Sequence, residues 1–373
     1  MSGLYIHIPF CKRRCIYCGF FSTTMLPRRQ EYVDALCQEM RLRPDSNIKT
    51  VYLGGGTPSQ LPPSMLRQLF DAISECYDLD FEHSEITMEC NPDDITEDFA
   101  EALSSLPVNR VSMGVQTFSD ERLKFLQRRH DARQSRRAVE LLRKAGISNI
   151  SIDLMFGFPQ QTLRQWEEDL KSAIALKVEH ISAYSLMFEE GTPLQKMLER
   201  KEVKEIDDDT YIIMYLKLVE TLRNAGYEHY EISNFALPGK RSLHNSNYWD
   251  CSIPYIGIGA GAHSYNLTSR QYNVEDINLY IDTIEKGLLP AEKEELNEID
   301  HYNDIVTTAL RTSRGICLQG IKQQFGDNTL KYLLDSATEF IVKNWLVIEE
   351  GYLHLTLDGI AMSDAVMREL IKI

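Results

Sequence analysis

The sequence predicts an α/β fold: a partial (β/α)6 barrel followed by a smaller α+β domain of winged-helix character. Three observations predict it. Roughly the first 190 residues alternate short β-branched or apolar runs with longer amphipathic ones, the pattern of repeated β/α units on a parallel sheet. The residues with unusual chemistry fall just past the predicted strands, where ligands collect in such folds. After about residue 290 the pattern changes to helices and a hairpin.

In chain order the predicted strands are Leu4–Ile8, Thr50–Leu53, Glu85–Glu89, Arg110–Val115, Asn149–Leu154 and His180–Ser185. Helices are expected near Arg29–Arg41, Met65–Tyr77, Glu97–Ser105, Ser119–Gln127, Arg133–Ala145 and Thr162–Leu176. A further helix, Tyr211 to about Asn224, follows Asp207-Asp208-Asp209, a charge run that suits a helix N-terminus. Residues 232–274, rich in Asn, Gly, Ser and aromatics, read as irregular. Helices near His301–Arg311, Leu318–Gln324 and Leu330–Asn344 then precede two short strands around a Glu350-Gly351 turn and a last helix. A wing suggests DNA, but residues 290–373 carry 14 Asp+Glu against 8 Lys+Arg, so a packing domain is expected instead. The expected division is a core at 1–230, a connecting segment at 231–289 and a C-terminal domain at 290–373.

The chain's 373 residues suffice for one large domain and a smaller one. A formal charge of −15 argues against nucleic acid and against an anionic membrane surface as partners. No apolar run approaches the ~20 residues that span a bilayer. Met1 leads straight into a strand-like stretch, leaving no room for a signal peptide, so a cytoplasmic location is expected. Cys37, Cys76, Cys90, Cys251 and Cys317 are scattered singly, as reduced core thiols would be.

Cys11, Cys15 and Cys18 are different. Three thiolates at C-x3-C-x2-C spacing can bind three irons of a 4Fe–4S cube and leave the fourth iron open. A zinc site would want a fourth ligand close by, and His7 lies on the preceding strand. Gly54-Gly55-Gly56-Thr57-Pro58 follows a strand and opens a helix, where glycines let backbone amides approach a ligand. A flexible turn explains one or two of these glycines, hardly three with Thr-Pro.

Together the cysteine loop and Gly-Gly-Gly-Thr-Pro resemble radical S-adenosylmethionine enzymes. Tyr5-Ile6-His7-Ile8-Pro9-Phe10-Cys11, Gly114-Val115-Gln116-Thr117-Phe118 and Asp153-Leu154-Met155-Phe156-Gly157-Phe158-Pro159 resemble the oxygen-independent coproporphyrinogen III oxidases and their relatives. The resemblance covers essentially the whole chain. It implies that Cys11, Cys15 and Cys18 hold the cluster, with S-adenosylmethionine on the open iron. Gly55, Gly56 and Thr57 would line its methionine end, and Tyr5, Tyr17, Glu89, Gln116, Arg128 and Asp153 match positions that contact it. An Arg can pair with the methionine carboxylate. From the residues alone, Glu89 and Asp153 also fit helix-capping carboxylates, and Arg128 fits a solvated helix end.

Two functions remain within this resemblance. The decarboxylating oxidases carry another cysteine two residues past the third ligand, where this chain has Phe20, and a longer extension before the cluster. His244-Asn245-Ser246-Asn247-Tyr248-Trp249 looks like the mark of the haem-chaperone branch, the HemW-like proteins. That resemblance implies haem contacts at His244, Tyr248 and Trp249, with acceptor haemoproteins as partners. His244 is the expected iron ligand, with His263 the alternative; a hydrogen-bonded structural role is the competing reading of a lone His among aromatics. The glycine run Gly257–Ser264 lacks the strand-then-helix framing of a dinucleotide fingerprint and reads as a close backbone approach. The second function is coproporphyrinogen III oxidation by a radical mechanism. If S-adenosylmethionine is cleaved, a low-potential donor such as a flavodoxin or ferredoxin is implied. Whether the chain forms a homodimer is left open.

Overall fold

The computed structural model describes residues 2–373, with the backbone alone for residues 45 and 46. Six parallel strands run where expected: Ser2–Ile8, Asp45–Gly55, Glu85–Cys90, Arg110–Gln116, Asn149–Phe156 and His180–Ser185. Their residues alternate strictly. Leu4, Ile6, Ile8, Val51, Leu53, Ile86, Met88, Val111, Met113, Ile150, Ile152 and Ile181 turn one way and are almost completely buried. This apolar face meets the helices Arg29–Leu42, Pro63–Cys76, Glu97–Ser104, Ala132–Lys144 and Leu163–Ala175 in one large core. Tyr5, His7, Tyr52, Glu89, Arg110, Ser112, Asp153 and Ser182 occupy the intervening positions and turn to the concave side.

Local chemistry sets the helix starts. Thr96 accepts from the amide of Phe99, and Asp131 with Gln134 and Thr162 with Gln165 form capping boxes. The predicted aspartate run does cap the helix Asp208–Asn224, through Asp207 accepting from Thr210.

Residues 232–274 are not irregular. Tyr255–Ile258 pairs parallel with Ser2–Ile8 as a seventh parallel strand, and His263–Tyr265, Ser269–Asn273 and Ala291–Glu295 extend that edge antiparallel. At the other edge Asn234–Ala236 adds antiparallel to His180–Ser185, and Glu228–Glu231 adds antiparallel to Asn234–Ala236. A further short strand, Tyr77–Leu79, pairs with Asp45–Gly55, so among the described residues the sheet has 13 strands, in an open order. The glycine run does approach the core closely. Gly259 has φ +108°, and a Cβ there would lie 2.8 Å from the His7 carbonyl oxygen.

The C-terminal region builds its own apolar cluster around Tyr302, Val306, Leu333, Phe340, Leu353 and Leu370. It comprises the helices Glu298–Ala309, Leu318–Val342 (kinked at Gly326) and Ser363–Leu370 with a three-stranded sheet. Among the described residues no helix is long and apolar enough to cross a membrane.

Candidate functional site

In strands that are otherwise mostly buried, Tyr5, Glu89, Gly114 and Asp153 on the concave face stay partly open. Glu89, Gly114 and Asp153 lie in the C-terminal half of their strands and Tyr5 at the middle of its own. Glu89 pairs in register with Ser112, and Gly114 with Asp153. These open positions mark a single recess at the C-terminal end of the sheet. The cysteine loop and the glycine loop border it.

The loops are locked together by backbone. Cys11 donates its amide to Thr23 at 2.9 Å, and Gly56 donates to Ile8 at 2.9 Å. A Cβ on Gly56 would lie 2.6 Å from the carbonyl carbon of Pro9, so only glycine fits this crossing. The Sγ of Cys11 sits 3.4 Å from the hydroxyl of Thr57. Cys11, Cys15 and Cys18 are all free and partly exposed.

Glu89 caps no helix. Its carboxylate accepts from the Tyr52 hydroxyl at 2.7 Å and from the Gly55 amide at 3.0 Å, joining two strands to the glycine loop. Burial raises its pKa to about 7, against these two hydrogen bonds and with a contribution from the charge of Asp153. Asp153 caps no helix either; it accepts from Ser112 at 3.5 Å. Burial raises it to about 6, opposed chiefly by the nearby guanidinium of Arg110.

Arg128 is no solvated helix end. It donates to the Gly114 carbonyl at 2.6 Å and to Asn91 at 2.5 Å, and reaches the Cys15 sulfur at 3.7 Å. Its Nε is buried without a partner, which leaves a donor for an anionic group. Gln116, at φ +67°, lies beside Arg128 over Gly114. Tyr17 is half-buried, with its hydroxyl pushed up by burial and lowered by Arg128. Tyr5 donates to, or accepts from, Nδ1 of His7 at 2.9 Å.

Among the described residues no group of three His, Cys, Asp or Glu converges on one metal ion. The three thiols are thus not arranged as a mononuclear zinc site, whereas a cube gives each thiolate its own iron. Three free thiols on one loop, the tight Gly56 crossing and the orphaned Arg128 Nε fit a cluster with an amino-acid ligand beside it.

Sequence reasoning missed Tyr52, Arg110 and Ser112. Alternation was the available signal: within buried strands these polar side chains occupy every second position, opposite the apolar ones.

The expected haem residues lie elsewhere. His244, on the short helix Leu243–Asn247, packs near the other end of the strands, against Gly3 and Thr50. The carboxylate of Glu85 accepts the amides of Leu243 and His244, each at 2.9 Å. Nδ1 of His244 bonds Thr50 at 2.8 Å and Nε2 bonds the Tyr248 hydroxyl at 3.0 Å. With the residue 1 % exposed and both nitrogens engaged, His244 has no free lone pair for iron. The expectation was an axial ligand at this position; the structure instead shows a buried histidine hydrogen-bonded at both nitrogens. Tyr248 serves His244 and packs edge-on to Tyr255. Trp249 faces outward, under the guanidinium of Arg311 at 4.9 Å. His263 is exposed beside Tyr272.

Comparison with known proteins agrees with this geometry. Residues 5–173 match the Radical SAM superfamily and residues 296–362 the HemN C-terminal domain. The chain is 34 % identical to "Heme chaperone HemW" of Lactococcus lactis subsp. lactis, over 99 % of this chain and 97 % of that protein. It is also 34 % identical to the Bacillus subtilis protein of that name, over 95 % and 93 %. Among solved structures it resembles the Escherichia coli coproporphyrinogen III oxidase HemN with a TM-score of 0.85 at 21 % identity, covering 100 % of this chain and 90 % of that one, a likeness of fold. Superfamily membership implies a 4Fe–4S cluster and S-adenosylmethionine. The chain belongs to the radical SAM superfamily, within the family of the HemW proteins.

Proposed function

We propose that this chain is a haem chaperone: it holds a 4Fe–4S cluster and S-adenosylmethionine, binds haem and passes it to acceptor proteins. The observation that carries this reading is the likeness, along nearly the whole chain, to relatives named heme chaperones. At the position where the oxidases are expected to carry a further cysteine stands Phe20, 71 % exposed. That supports haem handling over coproporphyrinogen oxidation.

In this reading Cys11, Cys15 and Cys18 ligate the cluster. When bound, the cluster supplies an iron that chelates the amino acid end of S-adenosylmethionine. Arg128, with its free Nε, pairs with the methionine carboxylate. Gly55, Gly56 and Thr57 bring backbone close to the methionine, and Tyr5, Tyr17, Glu89, Gln116 and Asp153 line the rest of the recess. Glu89 and Asp153 act here as acceptors for cationic or hydroxyl groups rather than as fixed charges.

The proposal extends to a cytoplasmic setting, which the eight free cysteines suit. It also extends to a flavodoxin or ferredoxin donor if S-adenosylmethionine is cleaved, and to a homodimer that sedimentation would reveal. The function itself is tested by anaerobic reconstitution followed by haem titration and incubation with coproporphyrinogen III. One haem bound per chain with no decarboxylation supports the chaperone. Turnover of coproporphyrinogen without haem binding refutes it.

A further inference from the structure

A cavity of about 790 Å³ lies away from the cluster recess, between the segment 241–252 and the C-terminal region. Its volume falls within the ~300–1,000 Å³ of small-molecule and cofactor sites. Trp249, Tyr265, Ile305 and Tyr352 supply apolar and aromatic walls. Arg314 and Arg241 lie on its lining, which carries one carboxylate, Asp250. In a chain of net charge −15 that balance is unusual. Arg241 already pairs with Glu228, whereas Arg314 bonds the Tyr352 hydroxyl and has no carboxylate partner among the described residues.

His301, in the first turns of the helix Glu298–Ala309, is the only histidine on this lining. Of the chain's nine histidines, seven form ring hydrogen bonds: His7, His83, His130, His180, His229, His244 and His354. His263 lies against Tyr272. His301 alone has neither a side-chain hydrogen bond nor a ring contact among the described residues, and it is half-buried. The two cysteines on the lining are already engaged. Cys251 lies 3.3 Å from the Thr308 hydroxyl, and Cys317 caps the amide of Gly320.

We infer that this cavity is the haem site, with His301 as the axial iron ligand, Trp249 as a wall of the porphyrin slot and Arg314 as a partner for a propionate. The inference rests on the haem-binding reading above. A porphyrin needs apolar and aromatic walls, a nitrogen donor for the iron and a cation for a carboxylate. The cavity offers Trp249 and its aromatic neighbours, His301 and Arg314, while both ring nitrogens of His244 are engaged with Thr50 and Tyr248. Of the four specified residues of the His-Asn-x-x-Tyr-Trp motif, Trp249 lines the cavity, with Ser246 of the same segment. The motif then works as a support: His244 and Tyr248 anchor the segment inward while Trp249 presents its ring outward.

The test titrates haem into the full-length, reconstituted chain and follows optical and electron paramagnetic resonance spectra. Wild type, His301→Ala, Trp249→Ala and the exposed control His83→Ala are compared, with circular dichroism as a check on folding. His301→Ala is expected to lose the histidine-ligated spectrum and bind at least tenfold more weakly, and added imidazole to restore the spectrum. Arg314→Ala is expected to weaken haem but not haem dimethyl ester. Wild-type binding with unchanged affinity and spectrum in both His301→Ala and Trp249→Ala overturns the cavity assignment and leaves the chaperone reading standing. Absence of haem binding by wild type overturns both.

Discussion

The imidazole of His244 stacks on the ring of Tyr52, with centroids 5.1 Å apart and planes at 25°. Tyr52 in turn donates to Glu89 at 2.7 Å. A histidine near one end of the strands is thereby tied to the carboxylate that holds the glycine loop at the other. The His-Asn-x-x-Tyr-Trp motif is thus coupled to the S-adenosylmethionine recess through the interior of the sheet.

His244→Ala should therefore act on stability and on the recess. It strips a partner from Thr50 and from Tyr248 and removes the stacking surface of Tyr52. The expected cost is ~2 kcal/mol or more, read as a lower urea midpoint, with weaker S-adenosylmethionine binding. Tyr52→Phe should keep the stacking but lose the bond to Glu89, and so affect ligand binding more than stability.

Iron content separates ligand cysteines from packing ones. Replacing Cys11, Cys15 or Cys18 by Ser is expected to abolish stable cluster assembly, measured as iron and sulfide per chain after anaerobic reconstitution. Cys251→Ser should retain a full cluster, because its thiol faces Thr308 far from the loop.

Gly56→Ala should fail at the recess. The added Cβ meets the Pro9 backbone at 2.6 Å, and backbone cannot swing aside as a flexible side chain can. Loss of S-adenosylmethionine binding by more than tenfold in a titration calorimeter is expected. Gly320→Ala is the control. Its Cβ would meet only Cys317, at 3.5 Å or more, on a helix where alanine is favoured.

Acidity should tune the recess in two opposite senses. With pKa values raised from 4.5 to about 7 for Glu89 and from 3.8 to about 6 for Asp153, the folded chain keeps protons that the unfolded chain has released. Their contribution to stability is present at low pH, declines as pH rises towards 7 and is flat above it. S-adenosylmethionine carries sulfonium and ammonium cations, so its affinity should rise as these carboxyls ionise, by at most about tenfold per pH unit for each group. Binding isotherms from pH 5.5 to 8 check this, and Glu89→Gln should flatten the upper part of the curve.

Much of the fold was readable because burial on one face forces period-two apolar positions, as at Leu4, Ile6 and Ile8. The seventh parallel strand was not. Tyr255–Ile258 borders a glycine run, and its partner Ser2–Ile8 lies some 250 residues earlier, so no local pattern announces the pairing. Residue type flagged His244 as chemistry, but a sequence does not display burial; Thr50 and Tyr248 claim its nitrogens only once the chain is folded. His301 had no motif around it. It stands out only when the partners of every other histidine are known.

The most direct test of the account is haem transfer. The reconstituted chain is loaded with haem, separated from free haem and mixed with an apo-haemoprotein, and the acceptor's spectrum is followed. Transfer of about one haem per chain, with no conversion of coproporphyrinogen III by the same preparation, is the expected result. A preparation that retains no haem yet decarboxylates coproporphyrinogen III would contradict it.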